Sequence, residues 1–167
     1  MSSLYTQHPT DDEHHGRTFL VVVDESEEMR AALRYACKRA LNTGGMVDLL
    51  MVVDPPEFQH FGGIGRLMSE EARAKAEEIL QRLAAEVKAG SGHTPTLYIR
   101  EGDRATELLD LINEERDISI LVLASGTGPE GPGPLVSSLS GKLINKLRVP
   151  VTLVPGHLSD GAIDVLT

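Results

Sequence analysis

Apolar residues along this chain fall alternately into short continuous runs and into sets spaced three or four positions apart. The run over residues 19–23 is apolar and rich in β-branched side chains, as is typical of a strand buried on both faces. From Met29 onward, apolar residues recur at helical spacing until Gly44 and Gly45, and glycine commonly follows the end of a helix. The pattern therefore predicts a buried strand followed by an amphipathic helix, with Ser26 as its N-cap.

The same alternation repeats along the rest of the chain. Four further strands are predicted over residues 46–53, 96–100, 118–123 and 149–154. Three further helices are predicted over residues 70–89, 104–115 and 137–147, the first of them capped by Ser69. Strands that alternate with helices imply a parallel sheet with helices on both faces. We therefore predict an α/β fold around an open sheet of five parallel strands, of which the first, second and fourth are the most buried.

Length and composition agree with one globular domain. The chain has 167 residues, of which 41% are hydrophobic and 25% are charged, as in ordinary globular proteins. Residues 1–16 are polar and show no hydrophobic period, so they are expected to form a flexible N-terminal arm. The domain is predicted over residues 17–155, and residues 156–167 are predicted to form a C-terminal tail.

Charge and composition disfavour several functional classes. The formal net charge is −9 and no basic cluster is present, so no nucleic-acid partner is expected. No apolar run approaches the roughly 18–20 residues that cross a bilayer, and the N-terminus lacks an apolar signal segment. The single cysteine, Cys37, lies on the apolar face of the first helix, where we expect a buried thiol. We expect a cytoplasmic protein without membrane insertion.

Two strand ends carry residues that can bind a ligand. Ligands of open parallel sheets bind outside the carboxyl ends of the strands, where the strand order reverses. Asp24 and Ser26 follow the first strand, and a loop rich in glycine and proline, residues 124–136, follows the fourth. Ser137 and Ser138 would begin the next helix, where unpaired N–H groups favour a phosphate, although either serine can equally serve only as the helix cap.

The sequence shows no arrangement typical of covalent or metal-dependent catalysis. His60, His93 and His157 have no recognisable partner, and no nucleophile elbow or Walker A sequence occurs. Residues 126–131 fit the pattern G-x-G-x-x-G, but the prolines around them keep the chain out of the helix that a dinucleotide site needs. We therefore predict no catalytic residue and no metal ligand, and weak nucleotide hydrolysis is a minor alternative.

Several blocks of the sequence, in order, resemble the universal stress protein family. TFLVVVDESEEMRAALRYA resembles the family's first strand, acidic turn and first helix, and REGDRATELLDLINE resembles its glycine-centred turn and third helix. DLLMVVD, ILVLASGTG and LVSSLSGKLINKLRVPVTLVP resemble the second strand, the fourth strand, and the last helix and strand. The resemblance covers about residues 17–155. It implies a Rossmann-like, adenine-nucleotide-binding fold with strand order 3-2-1-4-5, and a homodimer paired through the apolar last strand, residues 149–154.

One branch of that family binds ATP through the pattern G-x2-G-x9-G-[S/T]. The matching positions here are Ala124, Thr127, Ser137 and Ser138. The spacing is retained but the glycines are replaced, and Gly126 and Gly128 beside Thr127 can supply the backbone freedom that close approach to phosphate needs. The resemblance also implies that Asp24 and Val52 lie beside the adenine or ribose. The predicted nucleotide-binding residues are Asp24, Val52, Ala124, Gly126, Thr127, Gly128, Ser137 and Ser138.

Two main functions follow from the resemblance. The first is a stress-response protein that binds an adenine nucleotide, ATP with Mg²⁺, in a regulatory role. The second is a stress-response dimer that binds no ATP and acts as an interaction module for an unknown protein partner. The sequence leaves both open.

Overall fold

The computed structural model of the protein describes residues 16–55 and 63–167. Its five parallel strands are β1 (Thr18–Val22), β2 (Met46–Val53), β3 (Leu97–Glu101), β4 (Ile118–Ser125) and β5 (Val151–Pro155). They form one sheet in the order β3-β2-β1-β4-β5. The predicted α/β fold and its strand order are therefore confirmed, and the three strands predicted to be most buried occupy the centre of the sheet. The predicted N-terminal arm lies, except for Gly16, outside the described residues.

Helices cover both faces of the sheet. They are α1 (Met29–Thr43), α2 (Gly63–Ser91), α3 (Arg104–Glu114), α4 (Pro134–Ser140) and α5 (Asp160–Leu166). Phe19 and Val21 of β1 belong to the core that α1, α2 and α5 cover, whereas Leu20 belongs to the core under α3 and α4. Because successive side chains of β1 enter two different cores, this strand is apolar along its whole length.

Two predicted N-caps are wrong, because neither serine lies at the position where its helix begins. Ser26 donates both its N–H and its hydroxyl to Oδ1 of Asp24, and α1 begins at Met29, three residues later. Ser69 lies inside α2, and its hydroxyl donates to Oε2 of Glu101 over 2.6 Å. Both hydroxyls instead donate to carboxylates, and neither serine accepts a backbone N–H of the helix that it is predicted to cap.

The predicted helix over residues 137–147 is also wrong at both ends. It begins at Pro134, after Gly133 with φ of 103°, and ends at Ser140; a separate 3-10 turn follows over Ile144–Lys146. Proline has no N–H to lose and a backbone angle suited to the first helical turn, so it starts this helix although it would break one further along. Ser137 therefore lies one turn inside α4, where its N–H donates to the carbonyl of Gly133 over 3.0 Å.

The predicted C-terminal tail contains α5, which packs against α1. Ser159 caps the helix by accepting the N–H of Ala162, and Ile163 is 1% exposed in the core. Arg34 of α1 donates to both carboxylate oxygens of Asp164, over 2.9 and 2.7 Å. This pairing holds the pKa of Asp164 below its usual range. With one buried apolar side chain, α5 has too short a hydrophobic pattern to be recognised in the sequence.

One buried carboxylate joins two strands of the sheet. Asp48 of β2 is 7% exposed and accepts the N–H of Thr96, just before β3, over 2.9 Å. Burial raises the pKa of Asp48, and the hydrogen bond from Thr96 opposes this only in part. The ionised carboxylate is therefore less favourable in the folded protein than in the unfolded chain.

Replacing Asp48 by asparagine should stabilise the protein at pH 7, because the amide oxygen still accepts the Thr96 N–H while the buried charge is lost. A folded-state pKa above the unfolded value of about 4 costs stability only once pH rises through these values. Urea unfolding should therefore show Asp48→Asn more stable than the wild type at pH 7 and nearly equal to it at pH 3. Asp48→Ala, which removes the acceptor, should cost about 1 kcal/mol relative to Asp48→Asn. A less stable asparagine variant at pH 7 would contradict this account.

Candidate functional site

A cavity of about 330 Å³ opens between the carboxyl ends of β1 and β4. The strand order reverses between these neighbours, since β2 and β3 continue the sheet on one side and β5 on the other. The helices that follow the two strands, α1 and α4, pack on opposite faces and leave a crevice between them. We call it the switch-point cavity. Its walls include Val22, Val23, Asp24, Ser26, Glu28, Val52, Arg104, Leu123, Ala124, Gly126 and residues 130–136.

The structure brings together four of the eight residues predicted from the sequence. Asp24, Val52, Ala124 and Gly126 all line the switch-point cavity. The other four do not line it, and their side chains or backbone are exposed: Thr127, Gly128, Ser137 and Ser138. The residues at the strand ends therefore converge on one cavity. Thr127, Ser137 and Ser138, which match the ATP pattern, lie on the surface outside it.

The acidic turn after β1 has a defined conformation. Oδ1 of Asp24 accepts the backbone N–H of Ser26 over 2.9 Å and also the Ser26 hydroxyl. The neighbouring Glu25 pairs with Lys75 of α2, with 2.9 Å between its Oε1 and the lysine nitrogen. Within the described residues, Oδ2 of Asp24 has no hydrogen-bond donor. The turn thus fixes a carboxylate at the cavity wall with one oxygen available to a ligand.

The loop after β4 folds back on itself through close backbone contacts. Gly126 donates its N–H to the carbonyl of Pro132 over 3.2 Å, and Gly131 donates to Gly128 over 3.1 Å. Positive φ occurs at Gly131 (87°) and Gly133 (103°) rather than at Gly126 or Gly128. The left-handed conformation that glycine allows is therefore adopted later in the loop than expected, at Gly131 and Gly133, where the chain turns into α4.

The first turn of α4 meets the cavity one turn before the two serines. Pro134, Leu135 and Val136 line it, and proline has no N–H. The N–H groups of Leu135 and Val136 belong to the first turn, which has no intrahelical acceptor for them, and no side chain of residues 16–55 or 63–167 caps them. The cavity is thus lined by the first turn of this helix and not by Ser137 or Ser138.

The charge of the cavity lining is mainly acidic. Asp24, Glu28 and Glu130 contribute carboxylates, and Arg104 is the one cation that the described residues contribute. No histidine of the described chain lines the cavity, so the Ser26 hydroxyl lacks the usual base that would activate it. Within the same residues, no group of three or more metal-ligating side chains comes together. The arrangement is suited to binding a polar ligand through apolar strand ends and fixed polar groups.

Cys37 lies outside this cavity, and its burial confirms the expectation from the sequence. It packs in the core of α1, and burial together with the charge of Glu86 raises its pKa to about 11. The thiol is therefore protonated at neutral pH and a poor nucleophile.

None of the helices in residues 16–55 or 63–167 is both long and apolar enough to cross a bilayer.

Comparison with known proteins identifies relatives of this chain. Residues 16–155 match the model of the Universal stress protein family. A search of curated proteins finds no match. Among solved structures, the chain is similar to the universal stress protein UspA from Lactobacillus plantarum, with a TM-score of 0.71 and 18% identity over 84% of this chain and 98% of that one.

Two further solved structures contain an adenine nucleotide. One is a universal stress protein in complex with cAMP, with a TM-score of 0.58 and 18% identity over 85% of this chain and 98% of that one. The other is the universal stress protein from Archaeoglobus fulgidus in complex with dAMP, with a TM-score of 0.55 and 18% identity over 83% and 97%. At these identities the likeness shows a shared fold.

Gly126 and Gly128 should respond differently to the same substitution. A Cβ at Gly126 would lie 2.7 Å from the backbone carbonyl oxygen of Gly131, whereas a Cβ at Gly128 would meet nothing within 4 Å. Gly126→Ala must therefore move the loop and should cost about 1–3 kcal/mol, while Gly128→Ala should be neutral or slightly stabilising. Urea unfolding of both variants measures the difference. Equal stabilities would show that the loop does not fold back as described.

Proposed function

Because the chain belongs to the universal stress protein family, we propose that this stress-response protein binds an adenine nucleotide in the switch-point cavity and acts through that binding in a regulatory role. One observation carries the proposal: Asp24, Val52, Ala124 and Gly126 line a single cavity at the reversal of strand order. A protein that binds intracellular nucleotides would act in the cytoplasm, which is its proposed location.

The lining divides into a part suited to the base and a part suited to the phosphate. Val22, Val52 and Leu123 offer apolar strand ends for the adenine ring. The available oxygen of Asp24 can accept a hydroxyl of the ribose or the amino group of the base. Among residues 130–136, which line the remaining side, Pro132 and Pro134 have no N–H and Gly131 donates to Gly128, so the amides left for a phosphate are those of the other four residues. At about 330 Å³, the cavity is at the lower end of the range of roughly 300–1,000 Å³ common for small-molecule sites.

The two solved complexes with cAMP and dAMP support an adenine nucleotide as the ligand class. ATP is the more demanding candidate, since three acidic residues and one arginine line the cavity. Mg²⁺ would have to accompany ATP and would be held mainly by phosphate oxygens, as it commonly is in nucleotide sites. Asp24 would supply the nearest carboxylate to the strand ends.

Calorimetric titration of the wild type with adenosine, AMP and ATP plus Mg²⁺ should detect binding of at least one of them below millimolar concentration. Asp24→Asn keeps an oxygen for the Ser26 N–H but replaces the second oxygen by an amide group that cannot accept a hydrogen bond, so the affinity for adenosine should fall about tenfold. Asp110→Asn, an exposed carboxylate of α3, is the matched control and should bind like the wild type. Absence of heat with all three ligands at millimolar concentration would refute nucleotide binding and favour an interaction module without nucleotide.

A second proposal concerns assembly and rests on the edge strand β5. Among the described strands it pairs with β4 alone, and its Leu153 is 46% exposed. Val151, in contrast, packs against the core. An apolar side chain on an open sheet edge favours pairing with another strand, and a two-fold homodimer is the commonest such assembly. We therefore propose a homodimer that pairs along Val151–Pro155, the interface that an interaction module would also use.

Light scattering at micromolar concentration should give the wild type about twice the chain mass of 18.1 kDa. Leu153→Lys places a charge on the exposed edge without disturbing Val151, so it should shift the protein to monomer. Leu41→Lys, a similarly exposed leucine on α1, controls for the change in net charge and should stay dimeric. A monomeric wild type, or a Leu153→Lys dimer, would rule out this interface.

A further inference from the structure

We infer that Arg104 binds the phosphate of the nucleotide, and that its single charge makes the switch-point cavity select one phosphate over three in the absence of divalent metal. The inference rests on the proposed function, since it assigns the recognition of one end of the same ligand. Arg104 is not among the nucleotide-binding residues predicted from the sequence.

Arg104 reaches the cavity from a different element than the predicted residues do. It is the first residue of α3, directly after the turn that follows β3. It shares the cavity wall with Glu130 and with the loop that leads into α4. Among the lining residues in the described part of the chain, it alone is positively charged. A phosphate placed against the loop amides would therefore have one cation available to it.

The guanidinium of Arg104 is not engaged elsewhere in the described structure. It has no carboxylate oxygen of residues 16–55 or 63–167 within 4.0 Å, although three carboxylates line the same cavity. Arg100, four residues earlier, instead pairs with Glu114, and Arg34 pairs with Asp164. Arg104 thus lines the cavity without an ion pair among the described residues, and a guanidinium can bind a phosphate through two parallel N–H···O bonds.

The position of Arg104 brings no benefit to its own helix. A cation in the first turn faces the positive end of the helix dipole, where acidic residues are favoured. The N-cap of α3 is already filled by Asp103, whose carboxylate accepts the N–H and the hydroxyl of Thr106. The helix dipole therefore disfavours the charge of this exposed arginine, whereas an anionic ligand in the cavity would favour it.

The balance of charges decides how many phosphates the cavity accepts. Asp24, Glu28 and Glu130 outnumber Arg104 by three to one. One guanidinium offsets one unit of the charge of about −1.5 to −2 that a terminal phosphate carries near pH 7, and it can bind that phosphate through two hydrogen bonds. Further phosphates would enter an acidic cavity without a protein cation, so the monophosphate should bind more tightly than the triphosphate unless Mg²⁺ is added.

The test compares adenosine, AMP and ATP on the wild type and on Arg104→Gln, all in EDTA. The wild type should bind AMP roughly tenfold more tightly than adenosine and more tightly than ATP. Arg104→Gln should weaken AMP about tenfold or more and leave adenosine within about twofold, because only AMP carries the phosphate. Arg116→Gln changes net charge equally at an exposed site beyond the other end of α3, and it should match the wild type.

Each outcome separates this inference from the proposed function. Equal AMP affinities for the wild type and Arg104→Gln, with adenosine bound by both, would overturn the role of Arg104 and keep the nucleotide site. Tighter binding of ATP than of AMP in EDTA would overturn the selectivity. No binding of any compound by the wild type would overturn both.

If Arg104→Gln loses adenosine binding through misfolding, Arg104→Lys tests the role of Arg104 instead. It keeps the charge without the bidentate geometry, and it should weaken the binding of AMP but not of adenosine.

Discussion

The common handedness of crossover connections is the constraint on which the rest of this structure depends. The connections from β1 to β2 and from β2 to β3 advance across the sheet in one direction, and those from β3 to β4 and from β4 to β5 advance in the other. Right-handed crossovers in opposite directions must place their helices on opposite faces. The core accordingly divides into one part under α1 and α2 and another under α3 and α4. No helix can then close the gap between β1 and β4, so the cavity follows from topology.

The centre of the sheet could be predicted because burial on both faces leaves a continuous apolar signal. The bounds of β2 agree with the prediction at both ends. Helix starts could not be predicted equally well, because they depend on groups distant in sequence. The hydroxyl of Ser69 bonds to Glu101, 32 residues away. From the surrounding sequence, Pro134 is expected to interrupt a helix. In the structure it is instead the first residue of α4, directly after Gly133.

The residues of the candidate site likewise divide into those fixed by the strands, which could be predicted, and those fixed by a helix start, which could not. Asp24, Val52 and Ala124 lie at or beside strand ends, and the sheet fixes their positions as soon as its order is known. Whether Ser137 and Ser138 line the cavity depends on where α4 begins. The helix begins three residues earlier than predicted, so both serines lie beyond the cavity wall. Arg104 was missed because β3 lies at the sheet edge, away from the reversal of strand order. The available signal was its place after a glycine turn at the carboxyl end of a strand.

The C-terminal helix has a consequence for how the molecule opens. Ile163 is its one fully buried side chain, worth about 1.5–3 kcal/mol, and its ion pairs with α1 lie at the surface, where solvent and salt weaken them. Such a helix can detach and reattach while the sheet remains folded. Its amide protons would then exchange with solvent by local opening, on a faster timescale than those of the central strands. The attachment of α5 therefore rests mainly on the single side chain of Ile163, and added salt should loosen the helix slightly while leaving the central strands unaffected.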